Sequence, residues 1–129
     1  MENNPNSTPS VELTEPGIQK TTWIDMVEQY ILEHLDNSKL TIADLALSFS
    51  LSERQFHRRV KQETGMTPNL FIRRIKLAAA KKMLEDKKFA TIAETAMAVG
   101  YNQADYFSRL FTAYYGYRPV RHLRNSARR

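Results

Sequence analysis

Residues 52–65, SERQFHRRVKQETG, carry the start, the two faces and the end of one short helix. Ser52 can cap its N-terminus, and Gln55 stands three residues later, which is the spacing of a capping box. Phe56 and Val60 are four residues apart and share an apolar face, and the final glycine can close the helix. The opposite face holds four basic side chains at helical spacings: Arg54, His57, Arg58 and Lys61. The stretch predicts a helix with an apolar back and a basic front, a pattern that a solvated surface helix also satisfies.

A second short helix is predicted immediately before it. Thr41 and Asp44 form another capping-box pair. The apolar side chains that follow share one face: Ile42, Leu45, Ala46 and Phe49. Residues 48–51 separate this helix from the basic one. A short helix, a tight turn and a second helix with an exposed cationic face are the parts of a helix-turn-helix unit, whose second helix is the recognition helix.

The same unit recurs later in the chain. TIADLA at 41–46 corresponds to TIAETA at 91–96 with an offset of 50, and FHRRV at 56–60 corresponds to FSRLF at 107–111 with an offset of 51. The glycine and the proline that follow the recognition helix recur at the same offset of 51. One residue is therefore inserted between the turn and the apolar back of the second recognition helix.

The second recognition helix is predicted to be capped by Asn102, with Asp105 three residues later. Its apolar back contains Phe107, Phe111 and Tyr115. Its outward side is predicted to hold five residues: Gln103, Ala104, Asp105, Tyr106 and Arg109. This side is less cationic than that of the first recognition helix.

The remaining sequence completes an all-α fold. Residues 1–21 are rich in Asn, Pro, Ser, Thr and Glu without a hydrophobic period, which predicts a disordered leader or a linker remnant. Residues 22–66, which begin with a helix capped by Thr22, are predicted to form the first helix-turn-helix subdomain. Residues 67–88 are predicted to form a long linker helix, and 89–129 the second subdomain. The expected architecture is two helix-turn-helix subdomains joined by a central helix, with about seven helices in all.

Composition excludes several classes of protein. The chain has no cysteine and three scattered histidines, so neither a disulfide framework nor a metal site is predicted, and no cofactor is implied. No nucleophile, base and orienting group are placed together, which argues against an enzyme. No apolar run approaches the roughly 20 residues that span a bilayer, and the N-terminus lacks the pattern of a secretory signal. These features predict a cytoplasmic protein without a membrane partner.

The charge of the chain is distributed unevenly. Residues 1–52 carry two Lys/Arg against eight Asp/Glu, whereas residues 53–129 carry seventeen against six, and the net charge is +5. A basic body of this kind is typical of proteins that bind nucleic acid.

The spacing of the two units predicts how they would meet DNA. A linker helix over Pro68–Glu85 is about 27 Å long at about 1.5 Å per residue. With the helix radii included, it places the recognition helices close to the ~34 Å of one B-DNA turn. Since each recognition helix fits one major groove, one chain is expected to contact two successive grooves of a bipartite operator. The duplex must bend if the helices are held closer than straight DNA allows.

These residues resemble the DNA-binding domain of the AraC/XylS family of transcription regulators over about residues 22–124. In the first unit the resemblance is carried by Ala46, Leu51, Ser52, Phe56, Arg58, Val60, Lys61, Gly65, Pro68, Ala78 and Leu84. In the second it is carried by Ile92, Ala96, Gly100, Tyr101, Phe107, Arg109, Phe111, Gly116 and Pro119. The resemblance implies a sequence-specific regulator that binds double-stranded DNA and activates transcription through contacts with RNA polymerase.

The resemblance also implies roles for individual residues. The base-contacting candidates of the first recognition helix are Arg54, His57, Arg58 and Lys61. Those of the second are Ala104, Asp105, Tyr106 and Arg109, and the helical spacing adds Gln103 as a further candidate. Arginine commonly contacts guanine O6 and N7, although Arg58 could instead brace the fold by pairing with an acid. Asp105 either accepts from cytosine or pairs with Arg109 four residues later. The phosphate-binding candidates lie at predicted helix N-termini: Thr41, Ser52, Thr91 and Asn102.

Three other interpretations fit parts of the sequence. A non-specific architectural protein would keep the basic surfaces but distinguish poorly between sequences. A helical protein-interaction module would bind an acidic partner, and the acidic first helix, with Asp25, Glu28, Glu33 and Asp36, leaves a protein-binding role open. The chain is also compatible with being the output domain of a longer sensor-regulator whose sensory domain is absent.

Overall fold

The computed structural model describes the backbone of residues 21–127 and the side chains of residues 21–123. Within that range the chain forms seven α-helices and no strand, which confirms the all-α prediction. In chain order they are α1 (Trp23–Glu33), α2 (Ile42–Ser48), α3 (Glu53–Thr64), α4 (Pro68–Glu85), α5 (Ile92–Ala98), α6 (Ala104–Tyr115) and α7 (Val120–Ala127). The pairs α2–α3 and α5–α6 are the predicted helix-turn-helix units, and α4 is the predicted linker helix. Apart from Thr21, the predicted leader lies outside the described residues.

Most helix starts follow from local sequence. Four predicted N-cap residues form both bonds of a capping box: Thr22, Thr41, Ser52 and Thr91. At the start of α3, the Gln55 amide donates to Ser52 Oγ at 3.1 Å and the Ser52 amide donates to the Gln55 side chain at 2.9 Å. These four starts are confirmed predictions.

The start of α6 corrects one prediction. The helix begins at Ala104 and its N-cap residue is Gln103, so Asn102 is not the cap. The Gln103 side chain makes no capping hydrogen bond. Because glutamine is not among the side chains that commonly cap a helix, α6 begins without the local bonds that begin α3.

The turns inside the two units show where the extra residue of the second unit lies. In both units the residue that follows the turn donates its amide to the carbonyl five residues earlier, at 2.9 Å for Leu51 and 2.8 Å for Tyr101. The two turns therefore match at an offset of 50 as far as Tyr101. From α6 onward the offset is 51, so Asn102 is the inserted residue and Gln103 is the counterpart of Ser52.

Each unit has its own hydrophobic core, and α4 belongs to both. The first core is formed by buried side chains from α1 to the first half of α4: Val27, Ile31, Leu45, Ala46, Phe56, Val60, Phe71 and Ile75. The second is formed by Leu77, Ala80, Leu84, Ala96, Val99, Phe107 and Phe111. Ile75 thus packs in the first core and Leu77 in the second. The linker helix contributes buried side chains to both cores, so it is not a free spacer.

Candidate nucleic-acid interface

The first candidate surface is the outward side of α3. Phe56 and Val60 are buried and hold the helix against its core, so the opposite side faces solvent. An open depression on that side is lined by six exposed residues: Glu53, Arg54, His57, Arg58, Lys61 and Gln62. The four predicted base-contacting residues of α3 therefore lie together on one surface, named the α3 surface below.

Two adjacent arginines of α3 point in different directions. The Arg59 guanidinium lies 4.2 Å from the centroid of the Trp23 ring, and Arg59 Nε donates to the Glu63 carboxylate at 3.1 Å. Arg59 therefore joins α3 to α1. Arg58 is exposed on the α3 surface and forms no ion pair within the described residues. Arg59 therefore stabilises the fold, whereas Arg58 is available to a ligand.

The second candidate surface lies on α6. An open depression there is lined by Asp105, Ser108, Arg109, Thr112, Ala113 and Arg118. At the repeat offset of 51, the first five are the counterparts of Arg54, His57, Arg58, Lys61 and Gln62. This group, named the α6 surface, therefore occupies the position in the second unit that the α3 surface occupies in the first.

The structure divides the predicted residues of α6 into two groups. Asp105 and Arg109 line the α6 surface. The other three lie at the N-terminal end of the helix and outside that lining: Gln103, Ala104 and Tyr106. Tyr106 supports the surface from its edge, because the Arg109 guanidinium lies 5.7 Å from the centroid of its ring. Within the described part of the chain Arg109 forms no ion pair with Asp105, so the Asp105 carboxylate stays exposed.

Four residues of the α6 surface were not predicted from the sequence: Ser108, Thr112, Ala113 and Arg118. The repeat contains a signal for the first two, because at offset 51 they are counterparts of predicted residues of the α3 surface. Arg118 has no such signal, since its counterpart Thr67 is the N-cap residue of α4. Where the first unit has a capping threonine, the second has an exposed arginine beside the recognition helix.

The two surfaces differ in charge. The α3 surface carries three Lys/Arg side chains against one acid, for a formal charge of +2 with histidine neutral. The α6 surface carries two arginines against one acid, for a formal charge of +1. Without Arg118 the α6 surface would have no net charge.

The predicted phosphate-binding residues are all exposed, and three of them begin helices. Thr41, Ser52 and Thr91 are the N-cap residues of α2, α3 and α5. Their side-chain oxygens already accept from amides three residues later, at 3.0 to 3.1 Å, so the amides of the first two helical residues remain without an intrahelical partner. Asn102 lies in the turn, one residue before a helix N-cap. Phosphate contacts at these four positions stay a prediction.

Neither a metal-ligand group nor a membrane-spanning helix is found among the described residues. No three His, Asp or Glu side chains among them are grouped as a metal ion would require. None of the helices in this part of the chain is long and apolar enough to cross a membrane.

Comparison with known proteins agrees with this geometry. The family model of a helix-turn-helix domain matches residues 45–125. The HTH-type transcriptional activator RhaS of Escherichia coli (strain SE11) is 35% identical over 75 residues, which cover 58% of this chain and 27% of that protein. The chain therefore spans about a quarter of the length of the curated activators that it matches.

Two solved structures are similar over most of the fold. The C-terminal domain of AraT, a response regulator from Geobacillus stearothermophilus, has a TM-score of 0.71 and 29% identity, covering 79% of this chain and 84% of that one. The DNA-binding domain of AdpA, a global transcriptional factor solved in complex with a target DNA, has a TM-score of 0.71 and 26% identity, covering 81% of this chain and 93% of that one.

Proposed function

The chain belongs to the AraC-type family of helix-turn-helix domains, and from that premise we propose that it is a sequence-specific regulator of transcription that binds double-stranded DNA through both recognition helices. The single observation that carries the proposal is the equivalence of the α3 and α6 surfaces. Both are exposed, both carry net positive charge, and both place an arginine at the same position, Arg58 and Arg109. The family is one of DNA-binding regulators and not of enzymes.

Each recognition helix would occupy one major groove. An α-helix fits the B-DNA major groove, and arginine is the side chain that most commonly contacts guanine through O6 and N7. The 18 residues of α4 span about 27 Å, which suits two boxes about one turn apart on one face of the duplex. The α3 surface would supply more of the charge-driven affinity. The second box would be selected by Arg109 and Asp105, the latter as an acceptor for cytosine.

The regulator is proposed to act as an activator. The curated relatives are named transcriptional activators, and activation would require a contact between this protein and RNA polymerase. The polymerase contact, the bipartite operator and a sensory domain in a longer parent chain stay predictions.

Selection of bound sequences from a random duplex pool tests the proposal directly. We expect a consensus with two boxes about one helical turn apart. An enriched pool without a motif would contradict sequence-specific binding and would favour a non-specific architectural protein.

The double variant Arg58→Ala/Arg109→Ala tests the two surfaces. Because each good arginine–guanine contact contributes about 1–3 kcal/mol of discrimination, we expect at least about thirtyfold weaker binding to the selected duplex, measured by fluorescence anisotropy. The matched control is Lys81→Ala/Lys82→Ala, which removes the same charge from α4, where these lysines pair with Glu85 and Asp86. Equal losses in the two double variants would mean that Arg58 and Arg109 contribute charge and not specificity.

A further inference from the structure

The end of the first unit's α1 segment contacts the turn of the second unit. Gly100, in the turn between α5 and α6, is buried, and a Cβ placed on it would lie 2.5 Å from the Leu35 carbonyl oxygen. The Leu35 side chain packs against both cores. Backbone therefore meets backbone across the two units, at a distance that leaves no room for a side chain at position 100.

The first unit shows that the turn conformation alone does not require glycine. Ser50 is the counterpart of Gly100 at offset 50. Its φ is 60° and that of Gly100 is 91°, so both lie in the left-handed region. Ser50 is exposed, whereas Gly100 is buried. The approach of Leu35, which the first turn lacks, is thus an additional reason for glycine at the second turn.

Lys76 and Tyr101 complete this contact. Lys76 stands in α4 between Ile75 and Leu77, at the point where the helix passes from the first core to the second. Its ammonium group lies 5.1 Å from the centroid of the Tyr101 ring and 3.1 Å from the Cβ position at Gly100. Burial lowers the pKa of Lys76, as expected for an ammonium group packed between the units. Four residues therefore form what we name the junction: Leu35, Lys76, Gly100 and Tyr101.

Tyr101 connects the junction to the second recognition helix. Its ring centroid lies 5.9 Å from that of Phe107 and 6.0 Å from that of Tyr106. Tyr106 in turn lies beneath the guanidinium of Arg109 on the α6 surface. A shift of the turn relative to Leu35 would therefore move the N-terminal half of α6, which is the part of a recognition helix that contacts bases in helix-turn-helix proteins.

We infer that the junction positions the two recognition helices relative to each other and so sets the number of base pairs between the two boxes that the protein accepts. The inference rests on the proposed function. With α4 as the sole connection, the second unit could tilt about that helix, whereas the Leu35–Gly100 contact provides a second point of attachment. One base pair more or less between the boxes displaces the second box by ~3.4 Å and rotates it by about a tenth of a turn. The complex must then deform the duplex or break the junction.

The test measures binding of the full chain to the selected two-box duplex and to versions with one base pair added or removed between the boxes. The wild type is expected to bind the altered spacings at least about tenfold more weakly. Gly100→Ser places the residue of the first turn in the second turn. We expect it to reduce this discrimination to about threefold or less, or to shift the preferred spacing, while binding to a duplex with the α3 box alone is unchanged.

The reciprocal change Ser50→Gly is the matched control, since it alters the equivalent turn outside the junction, and it should keep the wild-type spacing preference. A folded Gly100→Ser variant with the wild-type preference would overturn the inference. If Gly100→Ser does not fold, Lys76→Met carries the same test, because it keeps the aliphatic stem and removes the ammonium group. If the wild type selects the two-box sequence but binds every spacing equally, the inference about the junction is overturned and the proposed function is not. A wild type that selects no sequence overturns the proposed function.

Discussion

The two helix-turn-helix units share a backbone but differ in what that backbone presents. Both recognition helices end at a glycine in the left-handed region, Gly65 with φ of 77° and Gly116 with φ of 85°. Both turns carry the same amide-to-carbonyl bond. The first unit has an exposed turn residue, Ser50, and a strongly cationic surface, whereas the second has a buried turn residue, Gly100, and a surface that is positive through Arg118. The backbone hydrogen bonds of the turns are therefore the same in the two units. The units differ in their exposed residues and in the residues that contact the other unit.

Removing the aromatic centre of the second core should produce the largest effect. Phe107 is fully buried, and its ring lies 5.8 Å from Phe111 and 5.9 Å from Tyr101. Phe107→Ala is expected to lower the free energy of unfolding by about 3–5 kcal/mol, measured by urea denaturation. Trp23, the single tryptophan, packs on Phe56 in the first core and reports on that unit by fluorescence. Because α4 belongs to both cores, fluorescence and circular dichroism should give coincident transitions. A tryptophan transition unaffected by Phe107→Ala would show that the two units unfold independently.

Replacing the acid of the α6 surface by a base should have the next largest effect. Asp105→Arg installs on α6 the residue that Arg54 provides on α3, so it removes an acid and adds a base. Binding to non-specific duplex should tighten, with the slope of log K against log salt steeper by about one to two units. Asp105→Asn separates loss of the acid from gain of the base and should leave the slope closer to that of the wild type. An unchanged slope for Asp105→Arg would mean that the α6 surface does not approach DNA.

Substitutions at the N-caps of α3 and α6 should have smaller effects, which differ between the two units. Ser52→Ala removes the hydrogen bond that the Ser52 hydroxyl accepts from the Gln55 amide at the start of α3, and it should lower the free energy of unfolding by about 1 kcal/mol. Gln103→Ala should change it by a few tenths of a kcal/mol at most, because Gln103 makes no capping bond. Gln103→Ser should stabilise the protein by up to about 1 kcal/mol, measured by the same denaturation. Equal losses for Ser52→Ala and Gln103→Ala would contradict the difference between the two helix starts.

Arg118 should give the smallest effect, on DNA binding alone. It follows the C-terminal glycine of α6 and lies at the rim of the surface, where we expect it to contact a phosphate. Arg118→Thr, which introduces the residue found at Thr67, should weaken binding by roughly threefold for every sequence and reduce the salt slope by about 0.9. Arg118→Lys should retain most of the slope. A change in the preferred sequence would instead show that Arg118 contacts a base.

The position of Asn102 does not follow from the repeat in the sequence. The matching segments establish an offset of 50 at Ala96 and 51 at Phe107, but they do not place the inserted residue between them. Asparagine is a better helix cap than glutamine, so local preference pointed to Asn102. In the structure the turn bond of Tyr101 repeats that of Leu51, and the N-cap residue of α6 comes two residues after Tyr101, so the inserted residue is Asn102. The helix start in the structure therefore departs from the capping preference of asparagine.

The two candidate surfaces were predictable from the sequence to different degrees. The residues of the α3 surface are all within one helix, so helical spacing sufficed to group its four basic residues. On α6, the same spacing selected Asp105 and Arg109 but also Tyr106, whose ring supports Arg109 from the edge of the surface. Arg118 joins the surface from the segment after α6, and no helical period connects it to Arg109.

The sequence by itself determined the all-α fold, the repeated unit and most helix starts, because capping bonds and helical faces join residues three or four positions apart. Only the tertiary structure decided that α4 is shared by two cores, that Arg59 and not Arg58 braces the first unit, and that Leu35, Lys76 and Gly100 meet. These contacts join residues far apart in the chain, and their distances depend on how whole helices pack. The glycine of the second turn illustrates both levels: the left-handed turn is local, as Ser50 shows, whereas the carbonyl of Leu35 against it is a product of packing.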